Sequence, residues 1–226
     1  MTTATAQPLP VVTAFDWVPE FAKGLVRDLR VRWAFEEIGA PYTTERFGAA
    51  TPRPDDYVKW QPFEQVPAFR DDGIEIFESG AILLYIAETQ GALLPAEPEA
   101  HWKAISWLFA GLNSVEPSCM RYFNYTVFNA DKDWAEGAKE ALLPLLRQKL
   151  KRVSDALDDQ DWLAGEFSIA DIMMVTVLNS LRETGLVTEF PTLAAYHARG
   201  TGRPAYKRAL EAQLADFDGP APAGRN

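Results

Sequence analysis

The sequence predicts an α/β unit followed by an all-α unit, and three observations carry that expectation. Two short runs rich in β-branched and aromatic residues flank a helical apolar stripe near the N-terminus. A hairpin pattern and another helix come next, and from about residue 94 strand signals give way to helical periodicity. The turn-rich stretch Leu94-Pro95-Ala96-Glu97-Pro98 marks the change, so a first domain over 1–93 and a helical domain over 94–226 are expected.

Val11–Phe15 reads as a short buried strand and Tyr42–Phe47 as a second. Between them Val31, Ala34, Phe35 and Ile38 follow the i, i+3, i+4, i+7 spacing of a helix face, and Gly39 with Pro41 supplies the stop. Val66–Phe69 and Ile74–Phe77 flank Asp71-Asp72-Gly73, the pattern of a hairpin whose short loop ends in glycine. Ser79 opens a helix running to about Thr89, with Gly91 past its end. The order β-α-β, then β-β-α, is the signature of a thioredoxin-like unit. Beyond the linker, Trp102, Ile105, Phe109 and Leu112 repeat at helical spacing, as do Leu142, Leu146, Val153 and Leu157, with a start or kink expected at Pro144. The run Ile169–Leu181 is apolar in nearly every direction, so it reads as the centre of a helical bundle. Ser168 and Asp171 form a capping box at its start, and Asp218–Asn226 is left unstructured for its Pro, Gly and Ala content.

The 226 residues carry 22 Lys+Arg against 32 Asp+Glu, a net charge of -10, which argues against a nucleic-acid surface. The leading MTTATAQPLP lacks a basic and apolar leader, and no apolar run reaches the roughly 18 residues of a membrane span. A cytoplasmic protein is expected. Cys119 is the single cysteine and His101 and His197 the only imidazoles, so neither a disulfide nor a structural metal is expected.

Gln65-Val66-Pro67 and Glu78-Ser79 are the residues that point to chemistry. If the peptide bond of a proline opening a strand is cis, the preceding N–H and C=O turn outward, free to pair with an extended peptide. Ser79 at a helix N-terminus offers an N–H and a hydroxyl to a carboxylate. Taken singly, Pro67 ends a loop and Ser79 caps its helix; together, in this order, they suit a small peptide carboxylate.

The chain resembles the cytosolic glutathione transferases, and the resemblance covers about Val11 to Phe217. It rests on Val31-Arg32-Trp33-Ala34-Phe35-Glu36-Glu37-Ile38-Gly39-Ala40-Pro41-Tyr42, Gln65-Val66-Pro67-Ala68-Phe69, Phe77-Glu78-Ser79-Gly80-Ala81-Ile82 and Phe167-Ser168-Ile169-Ala170-Asp171. It implies that reduced glutathione is the co-substrate, its backbone pairing with Val66 and its γ-glutamyl group lying against Glu78 and Ser79. It also implies a structural capping box, a homodimer and a hydrophobic cleft for a small apolar electrophile.

The family usually places a Tyr, Ser or Cys at the sulfur, but Phe15 to Ala40 contains no Tyr, Ser, Thr or Cys, as if this were a bacterial-type member without it. A cation or free N–H groups would then stabilise the thiolate, and Arg27, with Lys23 behind it, is the expected catalytic cation. Alternatively Arg27 and Arg30 pair with Asp28 or Glu36 at the surface. Glu64 stands where the family commonly has glycine, which should change loop shape more than chemistry. Lys59 is a candidate for the glycine-end carboxylate. Arg121, Tyr122 and Tyr125 are candidates to line the electrophile pocket, although such a stripe also suits a core or dimer interface. Cys119 reads as a small buried hydrophobe.

The function implied is a glutathione-dependent transferase acting in detoxification. The alternatives are glutathione-dependent isomerisation, dehalogenation or thiol-disulfide reduction on the same fold, or a non-catalytic glutathione-binding protein.

Overall fold

The computed structural model describes residues 8–49 and 51–221, and by contact the chain parts into two compact units. The first comprises 1–86 with 205–226; the second is 87–204. The sequence-based division put the change near residue 94 and kept 205–226 with the bundle. Instead the last segment returns to the first unit, because its polar and aromatic side chains meet α1.

In the first unit, β1 (Val11–Phe15), α1 (Asp28–Ile38) and β2 (Thr43–Phe47) form the expected βαβ. A short helix α2 (Asp55–Trp60), β3 (Ala68–Asp71), β4 (Ile74–Phe77) and α3 (Ser79–Gln90) follow. The four strands lie in the order β2-β1-β3-β4, with β1 parallel to β2 and the other pairs antiparallel. Val12, Thr13 and Ala14 are all buried, so both faces of β1 are covered. The β3–β4 turn sets Asp72 at φ 45° and Gly73 at φ 81°, the two left-handed residues of a tight hairpin.

α1 is buried from Asp28 through Phe35, charged residues included, because α9 (Pro204–Ala215) lies against it. Arg32 donates from Nε to Asp28 at 2.7 Å and from Nη2 to Asp216 at 2.6 Å. Gln213 Nε2 donates to the Val26 carbonyl at 3.1 Å and to Asp28 at 2.7 Å. The Trp33 and Tyr206 rings meet edge-on at 4.9 Å, and Arg208 pairs with Glu36 at 2.7 Å. Burial pushes the Asp28 carboxyl up, against the pull of Arg32 and Gln213. The tail goes on: Asp218 pairs with Arg46 at 2.8 Å, and Gly219 N–H donates to the Asp16 carbonyl at 2.9 Å. Asp218 and Gly219 are therefore held in place rather than unstructured; residues 222–226 and the leading 1–7 lie outside the described residues.

The second unit holds α4 (Pro98–Ala110), α5 (Glu116–Phe123), α6 (Ala135–Leu157), α7 (Ile169–Leu178) and α8 (Pro191–Gly202), with π-helical turns at Gly111–Val115 and Asn124–Phe128. α6 runs unbroken through Pro144, which is neither its start nor its end. α7 is the central helix, its residues from Ile169 to Val175 wholly buried. A Cβ added at Gly111 would come within 2.8 Å of Met173, and one at Gly200 within 2.5 Å of Val175, so α7 packs where its neighbours carry no side chain. On α4, Ala104 and Leu108 face inward while Trp102 and Phe109 are exposed.

The capping box at α7 is present with more partners than the sequence implies. Asp171 accepts from Ser168 N–H and Leu163 N–H, each at 3.0 Å, and from Tyr196 Oη at 2.9 Å. Burial raises its pKa from 3.8 to about 6.

Candidate functional site

A pocket in the first unit is lined by Arg27, Gln61, Gln65, Val66, Pro67, Glu78 and Ser79. Each arrives by local physics. α1 begins just after Arg27, which occupies its N-cap position without making a side-chain cap. α2 ends at Trp60, and the next side chain, Gln61, turns back on the loop: its Oε1 accepts from Phe63 N–H at 2.7 Å and Gln65 N–H at 3.2 Å. Glu64 sits at φ 56°, a left-handed conformation that glycine adopts without strain. The loop thus keeps a glycine-like backbone with glutamate in place, at a cost of about 1 kcal/mol. The Val66–Pro67 peptide bond is cis, and both residues are buried.

Glu78, at φ 73°, is a second left-handed non-glycine residue, and it joins β4 to α3 at the pocket wall. That placement costs about 1–2 kcal/mol and turns the chain so that the head of α3 meets the pocket. Ser79, 3% exposed, accepts a hydrogen bond at Oγ from Arg30 Nη1 at 3.0 Å, and Arg30 is itself 3% exposed. The head of the twelve-residue α3 therefore has a buried guanidinium beside it in addition to its own positive dipole end. The lining carries a carboxylate at Glu78 and a guanidinium at Arg27, a mixed set suited to a ligand bearing an ammonium and a carboxylate together.

Six of the eleven residues singled out from sequence therefore come together in this pocket: Arg27, Gln65, Val66, Pro67, Glu78 and Ser79. Lys23 does not join them and pairs with Glu20 at 2.8 Å. Lys59 is exposed on α2, away from the lining. Arg121 is exposed on α5 and Tyr122 half-buried beside it; Tyr125, in the following turn, packs its ring on Trp134 at 5.6 Å. Arg30 is buried and donates to Ser79 instead, while Arg32 and Gln213 hold Asp28 and Arg208 holds Glu36. Gln61 was not anticipated, and nothing local in the sequence marks it; α2 was, in principle, readable from Pro54-Asp55-Asp56 ahead of Lys59. Cys119 is wholly buried, and burial pushes its thiol up to about 12. Among the described residues, no cluster of His, Cys, Asp and Glu is placed to hold a metal ion, and no helix is long and apolar enough to cross a membrane.

A thioredoxin-like unit and a helical bundle in one chain define a two-part fold that comparison with known proteins assigns to a family. Residues 11–88 match the family description "Glutathione S-transferase, N-terminal domain", and residues 114–204 match "Glutathione S-transferase, C-terminal domain". The chain is 33% identical over 165 residues to glutathione S-transferase GstA of Escherichia coli O157:H7, covering 70% of this chain and 79% of that protein. It is 32% identical over 171 residues to the disulfide-bond oxidoreductase YfcG of Escherichia coli (strain K12), covering 71% and 79%. A glutathione transferase family member from Pseudomonas fluorescens pf-5, crystallised with two glutathione bound, shares the fold with a TM-score of 0.80 at 24% identity, over 92% of this chain and 95% of that one. The chain belongs to the glutathione S-transferase family, a family of enzymes.

Proposed function

We propose that the pocket binds reduced glutathione and that the protein transfers its thiolate to small apolar electrophiles. The observation that carries this is the convergence, in a chain of this family, of Val66 beside a cis proline with Glu78 and Ser79 at the head of α3 and Arg27 at the head of α1. In the reaction the sulfur lone pair forms a C–S bond at the electrophilic carbon, and the leaving group departs with its electron pair. The protein's part is to hold glutathione and to lower its thiol pKa. Arg27 takes the second role, because a nearby positive charge shifts a thiol pKa downward by about one to several units. Arg121, Tyr122 and Tyr125 are proposed to contact the electrophile, Lys59 to reach the glycine-end carboxylate, and Lys23 to stand behind Arg27 at the thiolate. Trp102 and Phe109, exposed one above the other on α4, support association into a homodimer.

Titration calorimetry with glutathione, read beside ultraviolet thiolate absorbance of the complex across pH, tests the proposal. The parent should bind and show a thiol pKa at least about one unit below that of free glutathione, and Arg27→Ala should lose most of that shift. Ser79→Ala should weaken binding by about 1.5–3 kcal/mol, the worth of a hydrogen bond to a charged group. No heat on mixing rules out glutathione; binding with an ordinary thiol pKa favours a protein that binds without catalysing.

A second reading is favoured by the likeness to YfcG: glutathione-dependent disulfide reduction. Cys119, with its thiol pushed up to about 12, is unsuited to exchange, so glutathione itself would supply both electrons, two thiols becoming one glutathione disulfide as the substrate disulfide is reduced.

A further inference from the structure

We propose that Thr13 and Tyr57 form a buried hydrogen-bond bridge that sets the position of Val66–Pro67, making them positioning residues for the peptide backbone of glutathione. The inference rests on the glutathione reading above and identifies residues that never touch the ligand.

The protons in this bridge have one arrangement. The Gln65 carbonyl only accepts, so the 2.5 Å contact from Tyr57 Oη uses the single phenolic proton. The 3.0 Å contact between Tyr57 Oη and Thr13 Oγ1 must then be donated by Thr13. Thr13 Oγ1 in turn accepts from Ala68 N–H at 2.7 Å. The run therefore starts at Ala68 and ends at Gln65, the residues on either side of Val66–Pro67, and its middle is anchored in β1 and α2. Thr13 and Ala68 are wholly buried and Tyr57 is 3% exposed, so the bonds lie in a low-dielectric setting where they strengthen one another. Burial pushes the Tyr57 hydroxyl above the usual phenol range, which keeps it a donor.

The loop needs such a fastening. Phe63, Glu64 and Gln65 are exposed, and the Phe63 ring meets Phe77 edge-on at 6.1 Å. A ligand that pairs with main-chain groups tolerates only a few tenths of an ångström of displacement. The Tyr57 ring has its own hold, 4.7 Å from Phe47 and 5.5 Å from Trp60, so removing its hydroxyl leaves the packing in place.

Tyr57→Phe, Thr13→Val and Thr13→Ser test the bridge, with glutathione affinity by calorimetry and steady-state kinetics on an activated aryl halide. Tyr57→Phe and Thr13→Val should each raise Kd and KM for glutathione about tenfold, while kcat at saturating glutathione and KM for the aryl halide stay within about twofold. Thr13→Ser should restore parental values, because it keeps the hydroxyl. Equal affinity in the parent and Tyr57→Phe overturns the inference and leaves the glutathione reading standing. A parent that takes up no glutathione overturns the reading and the inference with it. Loss of kcat in step with affinity, or no rescue by Thr13→Ser, also overturns it. Amide exchange of the ligand-free parent gives a second readout that needs no variant to fold: the Ala68 N–H should be strongly protected, and exchange as fast as an exposed loop amide contradicts the bridge.

Discussion

Arg32→Ala is expected to lower the stability of the first unit by about 3–5 kcal/mol. The side chain is 2% exposed and holds Asp28 and Asp216 at 2.7 and 2.6 Å. Removing it leaves Asp28 buried with the neutral Gln213 amide beside it and its cation gone, and an uncompensated buried carboxylate is far more costly than a broken surface pair. Chemical unfolding measures the loss, and a double-mutant cycle with Asp28→Ala separates the pair from its surroundings: the double variant should recover a large part of the loss of Arg32→Ala alone. A loss under 1 kcal/mol would mean that water reaches the pair. The same substitution should loosen the segment after α9, because Asp216 loses its closer partner and keeps the more distant Arg46 at 3.8 Å, so protease cleavage within 205–221 should accelerate.

Asp171→Ala is expected to destabilise the helical unit by about 3–5 kcal/mol at pH 5, since it strands two backbone N–H groups and the Tyr196 hydroxyl, each worth about 1–3 kcal/mol when buried unpaired. The sign of its pH dependence follows from the raised pKa. Unfolded, the carboxyl titrates near 3.8; folded, near about 6. Stability from the protonated form is fully present below the first value and is lost as pH rises through the second. The parent should therefore lose about 1 kcal/mol from this group between pH 5 and pH 7, and the variant should not, so the cost of the substitution shrinks as pH rises. Denaturant titrations at the two pH values give the comparison; a cost that grows toward pH 7 would contradict it.

Much of this molecule is legible from its residues, and the failures share one cause. Val11–Phe15 and Ile74–Phe77 are strands with the bounds their composition suggests, and Gly39, at φ 70°, ends α1 as its position implies. Val66, Pro67, Glu78 and Ser79 reach one pocket because turn and cap chemistry is local, which is what a sequence displays. Arg30 was open to either of two readings because its burial depends on α3, nearly fifty residues on (|i−j| 49 to Ser79). Trp102 and Phe109 show the converse: periodicity identifies a face of α4 but not whether protein or water covers it. The docking of α9 on α1 had no local signal, since it rests on Gln213 and Asp216 meeting partners more than 180 positions earlier (|i−j| 185 and 184).

The return of 205–221 to the first unit bears on how the protein is made. Residues 87–204 form one unbroken stretch and have all their own contacts once the ribosome has released them. The first unit does not: Asp28, Arg32 and Trp33 are translated before 87–204, and their covering helix α9 only after it. A nascent chain therefore carries a half-covered α1, with a buried-to-be ion pair still in water, until α9 has followed the helical unit out of the ribosome. Order of birth and order of completion are reversed, and the pocket's Arg27 acquires its neighbouring support, through Gln213 on Val26 and Asp28, only after the helical unit has been made.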